Sequence, residues 1–218
     1  VANRWGECDP EEPKNRRTRP SIAIQSQKTT LVVDTGPDFT YQCNRAGLTQ
    51  LDAVIYTHGH GDHVNGIDEL RIWKIIQDMD KIPVYSMRDT LDELANRFAY
   101  MFVQKTKLYP EVLRPHYLND QLNQNTTIGD ISFIPFLQDH GTLNSLGFRF
   151  GDIGYSTDMR SLDETALDIL QGIRVWIADG AGFKYKTSVV HANLESVYEM
   201  NAHIGAEQVY LTHMSSQM

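Results

Sequence analysis

Seven residues, Thr57-His58-Gly59-His60-Gly61-Asp62-His63, constrain this chain more than any other stretch. Between His58 and His63, three imidazoles and a carboxylate are separated only by glycines. The preceding Leu51-Asp52-Ala53-Val54-Ile55-Tyr56 is a short apolar, β-branched run that reads as a buried strand. After it, Val64, Ile67, Leu70, Arg71, Ile72 and Ile75 recur at helical spacing, predicting one helix that runs to about Met79. The cluster therefore belongs on a strand-to-helix loop, where glycines let the backbone fold tightly and aim several side chains at one point. Neutral imidazole and carboxylate are ligands for zinc and similar first-row ions. His58 and His60 can approach one ion while Asp62 and His63 approach a second. The alternative is a polar turn whose histidines coincide.

The rest of the chain supplies a setting for such a loop. Its 218 residues suffice for one sizeable core, and 41% hydrophobic with 22% charged residues fits a soluble globular protein. No apolar stretch approaches the roughly eighteen residues of a membrane helix. Two cysteines, Cys8 and Cys43, make no disulfide framework, so a reducing cytoplasm is the expected location. A net charge of −8 disfavours extended nucleic acid on a broad basic face but permits a small anionic substrate in a metal-charged pocket.

In order, residues 1–20 read as irregular, acidic at first and then basic. That basic run is either a solvated loop or a place where Arg17 and Arg19 grip a phosphate bidentately. Ser21–Gln25 and Thr30–Asp34 read as a hairpin, Pro83–Ser86 as a strand, and residues 88–103 as a helix with Leu91, Leu94, Phe98 and Phe102 on one face. From Tyr100 to Tyr117 the chain is aromatic and irregular. It is expected to pack in the core, to wall a pocket, or to form a subunit contact of a homodimer. A second β-rich half follows, with strands at 131–136, 146–150, 153–156, 175–179 and 208–212 and helices at 162–170 and 193–204. Two β-rich halves, each flanked by helices, predict an α/β fold, a four-layer αββα sandwich in one domain. His140, Asp158 and His213 each follow a hydrophobic strand, where rigid scaffolds present functional groups.

His58-x-His60-x-Asp62-His63 after a hydrophobic strand resembles the signature of the metallo-β-lactamase superfamily of metal-dependent hydrolases. The resemblance implies two divalent ions, zinc or manganese with iron also acceptable to these donors. It implies one site of His58, His60 and His140, a second of Asp62, His63 and His213, and Asp158 bridging both. It further implies that Asp34, in the turn Asp34-Thr35-Gly36-Pro37-Asp38, supports the loop from behind. His191-x-x-x-Glu195 with Leu211-Thr212-His213 resembles the phosphodiesterase branch, which includes RNase Z and the phosphoribosyl cyclic phosphodiesterases. There a matching histidine contacts phosphate and protonates the leaving oxygen, making His191, with Asp62 and Asp158, the catalytic set. Arg16-Arg17-Thr18-Arg19-Pro20-Ser21 and His63-Val64-Asn65-Gly66-Ile67-Asp68-Glu69-Leu70-Arg71 resemble the small-substrate enzymes of that branch. Relatives often carry an N-terminal cysteine cluster, of which only Cys8 stands here, and they continue past His213; truncated termini are therefore expected. The expectation is a phosphodiesterase for a small cyclic or nucleotide-like substrate. An RNase Z-type endonuclease, a thioester or lactone hydrolase, and a metal-binding protein without turnover are the alternatives.

Overall fold

The computed structural model describes residues 5–104, 106, 108–182 and 188–215; of the N-terminal stretch expected to be irregular, residues 1–4 lie outside the described residues and Pro13–Asn15 form a 3₁₀ turn. The chain divides into two compact units, Arg19–Ser132 and the combination of Val1–Thr18 with Phe133–Met218. Each has its own apolar cluster. Among the described residues no helix is long and apolar enough to cross a membrane.

In residues 19–132, β1 (Ile22–Gln25) and β2 (Thr30–Val33) form the expected hairpin. The chain then winds through α1 (Phe39–Ala46), whose Phe39 and Cys43 lie one turn apart and are both buried. A left-handed glycine, Gly47 at φ 64°, ends that helix. Next come β3 (Ala53–Ile55), α2 (Gly61–Val64), a 3₁₀ turn (Ile67–Glu69), α3 (Leu70–Ile76) and β4 (Ile82–Ser86). Helices α4 (Arg88–Arg97) and α5 (Ala99–Phe102) lead to β5 (Leu113–Tyr117). The five strands lie in sequence order, with β2 to β5 parallel. Val32, Val54 and Val84 stand side by side across β2, β3 and β4. All three are buried with Tyr56, Phe39, Ile67, Leu70, Leu91 and Leu94. A parallel sheet presents functional groups beyond the carboxyl ends of its strands, and the loop after β3 is one such end.

Three expectations are corrected in this unit. The single helix after the loop is broken at Asn65-Gly66, because the Gly66 amide donates to the Thr35 carbonyl at 2.8 Å. A Cβ at Gly66 would lie 2.2 Å from the Gly36 carbonyl oxygen, so the backbones are in direct contact there. Of the apolar stripe, Val64, Ile67 and Leu70 are buried, whereas Ile72 and Ile75 are 54% and 66% exposed. The stretch 100–117, expected to be irregular, contains α5 and the edge strand β5. Pro115 is tolerated in β5 because an edge strand pairs on one side only. The 88–103 helix also divides at Phe98, although Leu91, Leu94 and Phe102 are buried as the spacing predicts.

The second sheet opens with the short β6 (Thr126–Ile128) and β7 (Ile131–Asp139). From β7 the chain forms an antiparallel meander with β8 (Asn144–Phe150) and β9 (Ile153–Ser156). The β8–β9 turn is Gly151-Asp152 as expected, with Gly151 at φ 57°. After α6 (Glu164–Leu170), β10 (Val175–Asp179) joins parallel to β9. After α7 (Leu194–Ile204), β11 (Gln208–Thr212) joins parallel to β10. Asp163 and Asn193 cap their helices through side-chain oxygens, which places each helix start a residue or two later than its apolar pattern predicts. Trp176, Leu170, Ile173, Val197 and Ile204 anchor this core.

Candidate metal centre

The donors fall into two sets, one in each unit. In residues 19–132, β3 delivers Thr57 to the carboxylate of Asp34, which closes β2 at φ 64°. Asp34 Oδ1 accepts from the Thr57 amide at 2.8 Å. Its Oδ2 accepts from the Thr57 hydroxyl at 2.8 Å and pairs with His63 Nδ1 at 2.7 Å. The Thr57 proton is thus committed to Asp34, so the 2.9 Å contact between Thr57 Oγ1 and His58 Nδ1 requires an Nδ1–H on the imidazole. One carboxylate therefore sets both tautomers, assigning the lone pair of His58 and of His63 to Nε2, the form in which imidazole binds a metal. His58 and His63 are buried, Asp62 is partly exposed and His60 is exposed. The His58 ring lies 4.5 Å from that of His60 and 4.4 Å from that of His63.

In residues 133–215 the donors come from separate strand ends. His140 follows β7 and donates from Nδ1 to the Val190 carbonyl at 2.7 Å. Asp158 follows β9, 2% exposed and at φ 49°. Its Oδ2 is 3.3 Å from His140 Nε2, and its Oδ1 is 3.2 Å from Nε2 of His213, which follows β11 at φ 54°. The Ser145 hydroxyl fixes the Asp158 carbonyl at 2.7 Å. Asp158 thus places one oxygen beside the Nε2 of each of two imidazoles. His191 stacks on His213, with ring centroids 5.1 Å apart and planes at 24°, and lies 5.1 Å from the His140 ring. One ligand atom from each of Asp158, His191 and His213 lies within 4.8 Å of the others.

Sequence reasoning missed Asp179. It is fully buried at the end of β10, and its Oδ2 accepts from His191 Nδ1 at 2.7 Å and from the Met159 amide at 2.9 Å. Its Oδ1 accepts from the Ala181 amide at 2.7 Å. The available signal was its position, a carboxylate closing an apolar strand as Asp34 does. Of the predicted arginines, Arg19 borders the donor loop: a Cβ on Gly36 would lie 3.2 Å from the Arg19 Cβ and 2.3 Å from the Asp62 carbonyl oxygen. Arg17 is exposed with its guanidinium 4.0 Å from the Cys8 sulfur, and exposed Arg19 is tied through its backbone to Asp38 and Gln42. His203 is an exposed partner of Asp168, while His116 is half-buried and stacked on Tyr85 at 4.7 Å.

Every donor in both sets is nitrogen or oxygen, and the tautomers of His58, His63 and His140 present Nε2, so the residues fit a borderline divalent ion.

Comparison with known proteins gives a consistent picture. The sequence pattern of the family described as the beta-lactamase superfamily domain matches residues 29–214. The chain is 28% identical to an octanoyltransferase of Porphyromonas gingivalis over 95% of its own length and 41% of that protein. It is 27% identical to a ribonuclease Z of Bradyrhizobium over 63% of its length and 46% of that enzyme. The chain thus spans less than half of these curated relatives. Among solved structures, a diphosphatase of the PhnP family superposes with a TM-score of 0.85 at 28% identity, covering 97% of this chain and 81% of that one. The metallo-β-lactamase fold protein YhfI of Bacillus subtilis gives 0.73 at 21% identity, over 91% and 79%. Human tRNase Z, short form, gives 0.70 at 15% identity, over 91% and 86%. The fold is that of the metallo-β-lactamases, with two sheets and mixed α/β structure.

Proposed function

Because the chain belongs to the β-lactamase superfamily, we propose that it is a divalent-metal-dependent phosphodiesterase for a small cyclic or nucleotide-like substrate. His58, His60, Asp62, His63, His140, Asp158 and His213 are the donors for two ions. Bound there, such ions supply a water ionisable near neutral pH and positive charge for phosphate oxygens. The observation that carries the phosphodiester reading is the His191–Asp179 pair, 2.7 Å across and adjoining His140 and His213. Asp179 holds the Nδ1 proton and stabilises an imidazolium, so Nε2 is the atom that gives its proton to a leaving alkoxide. The relative named a diphosphatase supports extending the substrate class to compounds with two linked phosphates.

A carboxylate-paired histidine can also ligate a metal. Metal content of His191→Ala separates the two roles: a general acid leaves the number of bound ions unchanged, and a ligand loses one.

The relative named an octanoyltransferase supplies the second reading, acyl chemistry. A panel of bis(p-nitrophenyl) phosphate, a 2′,3′-cyclic nucleotide, a precursor tRNA and an octanoyl thioester separates these. Turnover of the first two is expected. Turnover of the thioester alone replaces the proposal with acyl transfer or hydrolysis, and of the tRNA alone with an RNase Z-type activity. Net charge −8 weighs against the long RNA.

A further inference from the structure

Neither Gly59 nor Gly61 lies in the left-handed region of backbone conformation. Their need for glycine is therefore one of space rather than of left-handed backbone. A Cβ on Gly59 would meet the Glu93 carboxylate at 2.5 Å, and one on Gly61 the Asn65 amide nitrogen at 2.8 Å. Glu93 and Asn65 are joined by a single residue. Arg97, one turn after Glu93 on α4, donates from Nη1 to Glu93 at 2.9 Å and from Nη2 to Asn65 Oδ1 at 3.3 Å. The same Nη1 donates to the carbonyl oxygen of Gly59. The next turn extends the contact, with the Tyr100 hydroxyl on both oxygens of Asp68 at 2.7 and 2.9 Å. Helices α4 and α5 thus grip the segment 59–68 at three points, through side chains 30 or more positions away.

We propose that Arg97 is a positioning residue for metal binding. By fixing the Gly59 carbonyl it sets the plane of the Gly59–His60 peptide, and so the direction in which His60 projects relative to His58. A guanidinium suits this task because its planar fork reaches the carbonyl, the amide and the carboxylate together, which a single ammonium does not. Glu93 keeps the fork oriented, and the two glycines admit the clamp. The inference rests on the reading of His58 and His60 as metal donors.

The test is a zinc titration of the full chain against a chromophoric chelator, beside thermal melts of the metal-free protein. Arg97→Met is expected to weaken zinc binding about 10–100-fold, the usual effect of losing a group that orients a ligand. Arg97→Lys, which keeps one donor, is expected to recover part of that loss. Gly59→Ala is expected to weaken binding as well, and Glu93→Ala in the same chain to restore part of it by making room, at the cost of the Arg97–Glu93 hydrogen bond. Wild-type affinity in Arg97→Met overturns the assignment, as does a lowered melting temperature with unchanged affinity. No substrate enters the titration, so failure of the phosphodiesterase reading leaves this inference standing. A wild-type chain that binds no zinc overturns both.

Discussion

Residues 57–65 and the strand ends of residues 133–215 both present imidazoles and carboxylates, by different means. The first set packs four donors into six consecutive positions, and the loop that carries them is held from outside by Asp34 and Arg97. The second takes His140, Asp158, His191 and His213 from four separate segments. Two of these four sit at positive φ, 49° for Asp158 and 54° for His213. Left-handed backbone costs a non-glycine residue of order 1–3 kcal/mol, tolerated where neighbouring contacts over-determine it. The contiguous set spreads its support over several hydrogen bonds, so single losses should be graded. The dispersed set rests on individual side chains, so single losses should be severe.

Asp158→Ala is therefore expected to have the largest effect. It removes a carboxylate that faces both His140 and His213, at 3.3 and 3.2 Å. Turnover of bis(p-nitrophenyl) phosphate should fall by more than about 10³-fold, equivalent to several kcal/mol of lost charge stabilisation. Bound metal should fall with it. Substantial activity in this variant would break the comparison at its strongest point.

Next comes His191→Ala, expected to lower kcat about 10²–10⁴-fold on an alkyl or ribosyl phosphodiester. The loss should shrink for p-nitrophenyl esters, whose leaving oxygen needs no proton. Asp179→Asn should reproduce that dependence on leaving group with a smaller loss, because it acts through His191. Equal losses on both substrate types would make His191 a phosphate-binding group instead.

The contrast also explains what the sequence made legible. Four donors in six positions are visible because spacing alone assembles them. His140, Asp158 and His213 were legible only as strand ends ordered by the resemblance. Asp179 is chemically equivalent to them in placement but 12 positions from its partner, and Arg97 is 38 from Gly59. Nothing in local spacing connects either pair. Strands were read well where β-branched residues run together, as in β2, β3 and β10. Strand β5 was missed because Arg114, Pro115 and His116 carry no alternation on an exposed edge. The helix break at Asn65-Gly66 depends on a backbone contact with residues 35–36, again invisible to periodicity.

Asp34→Asn tests the graded side of the comparison. An amide keeps one acceptor for the Thr57 or His63 proton but turns an N–H toward the other, loosening the tautomers of His58 and His63 together. Zinc affinity should fall about 10–100-fold without loss of the fold. A loss as total as that of Asp158→Ala, measured in the same titration, would show that the contiguous set is no more robust than the dispersed one.

The smallest effect belongs to the outer end of the clamp and is read by pH. Burial, then the hydrogen bond to Asp68 and its charge, raise the Tyr100 phenol to about 12 from an ordinary value near 10. Burial lifts the Cys43 thiol to about 11 and holds the Tyr56 phenol well above its usual range. All three belong to residues 19–132. Each keeps its proton longer in the folded chain than in the unfolded one. The stabilisation is complete below the unfolded values and is lost as pH rises from about 9 through 12, when the unfolded chain releases protons that the folded chain retains. Thermal melts should therefore show falling stability across that window. Tyr100→Phe removes one of the three groups. At pH 8 it should destabilise by no more than about 1 kcal/mol, the scale of a single exposed hydrogen bond. By pH 11 its melting temperature should approach that of the wild type, since the variant has no phenol at this position for the unfolded state to ionise. A gap that stays constant or widens between pH 8 and 11 would mean that Asp68 does not hold the Tyr100 proton, and that the clamp ends at Arg97.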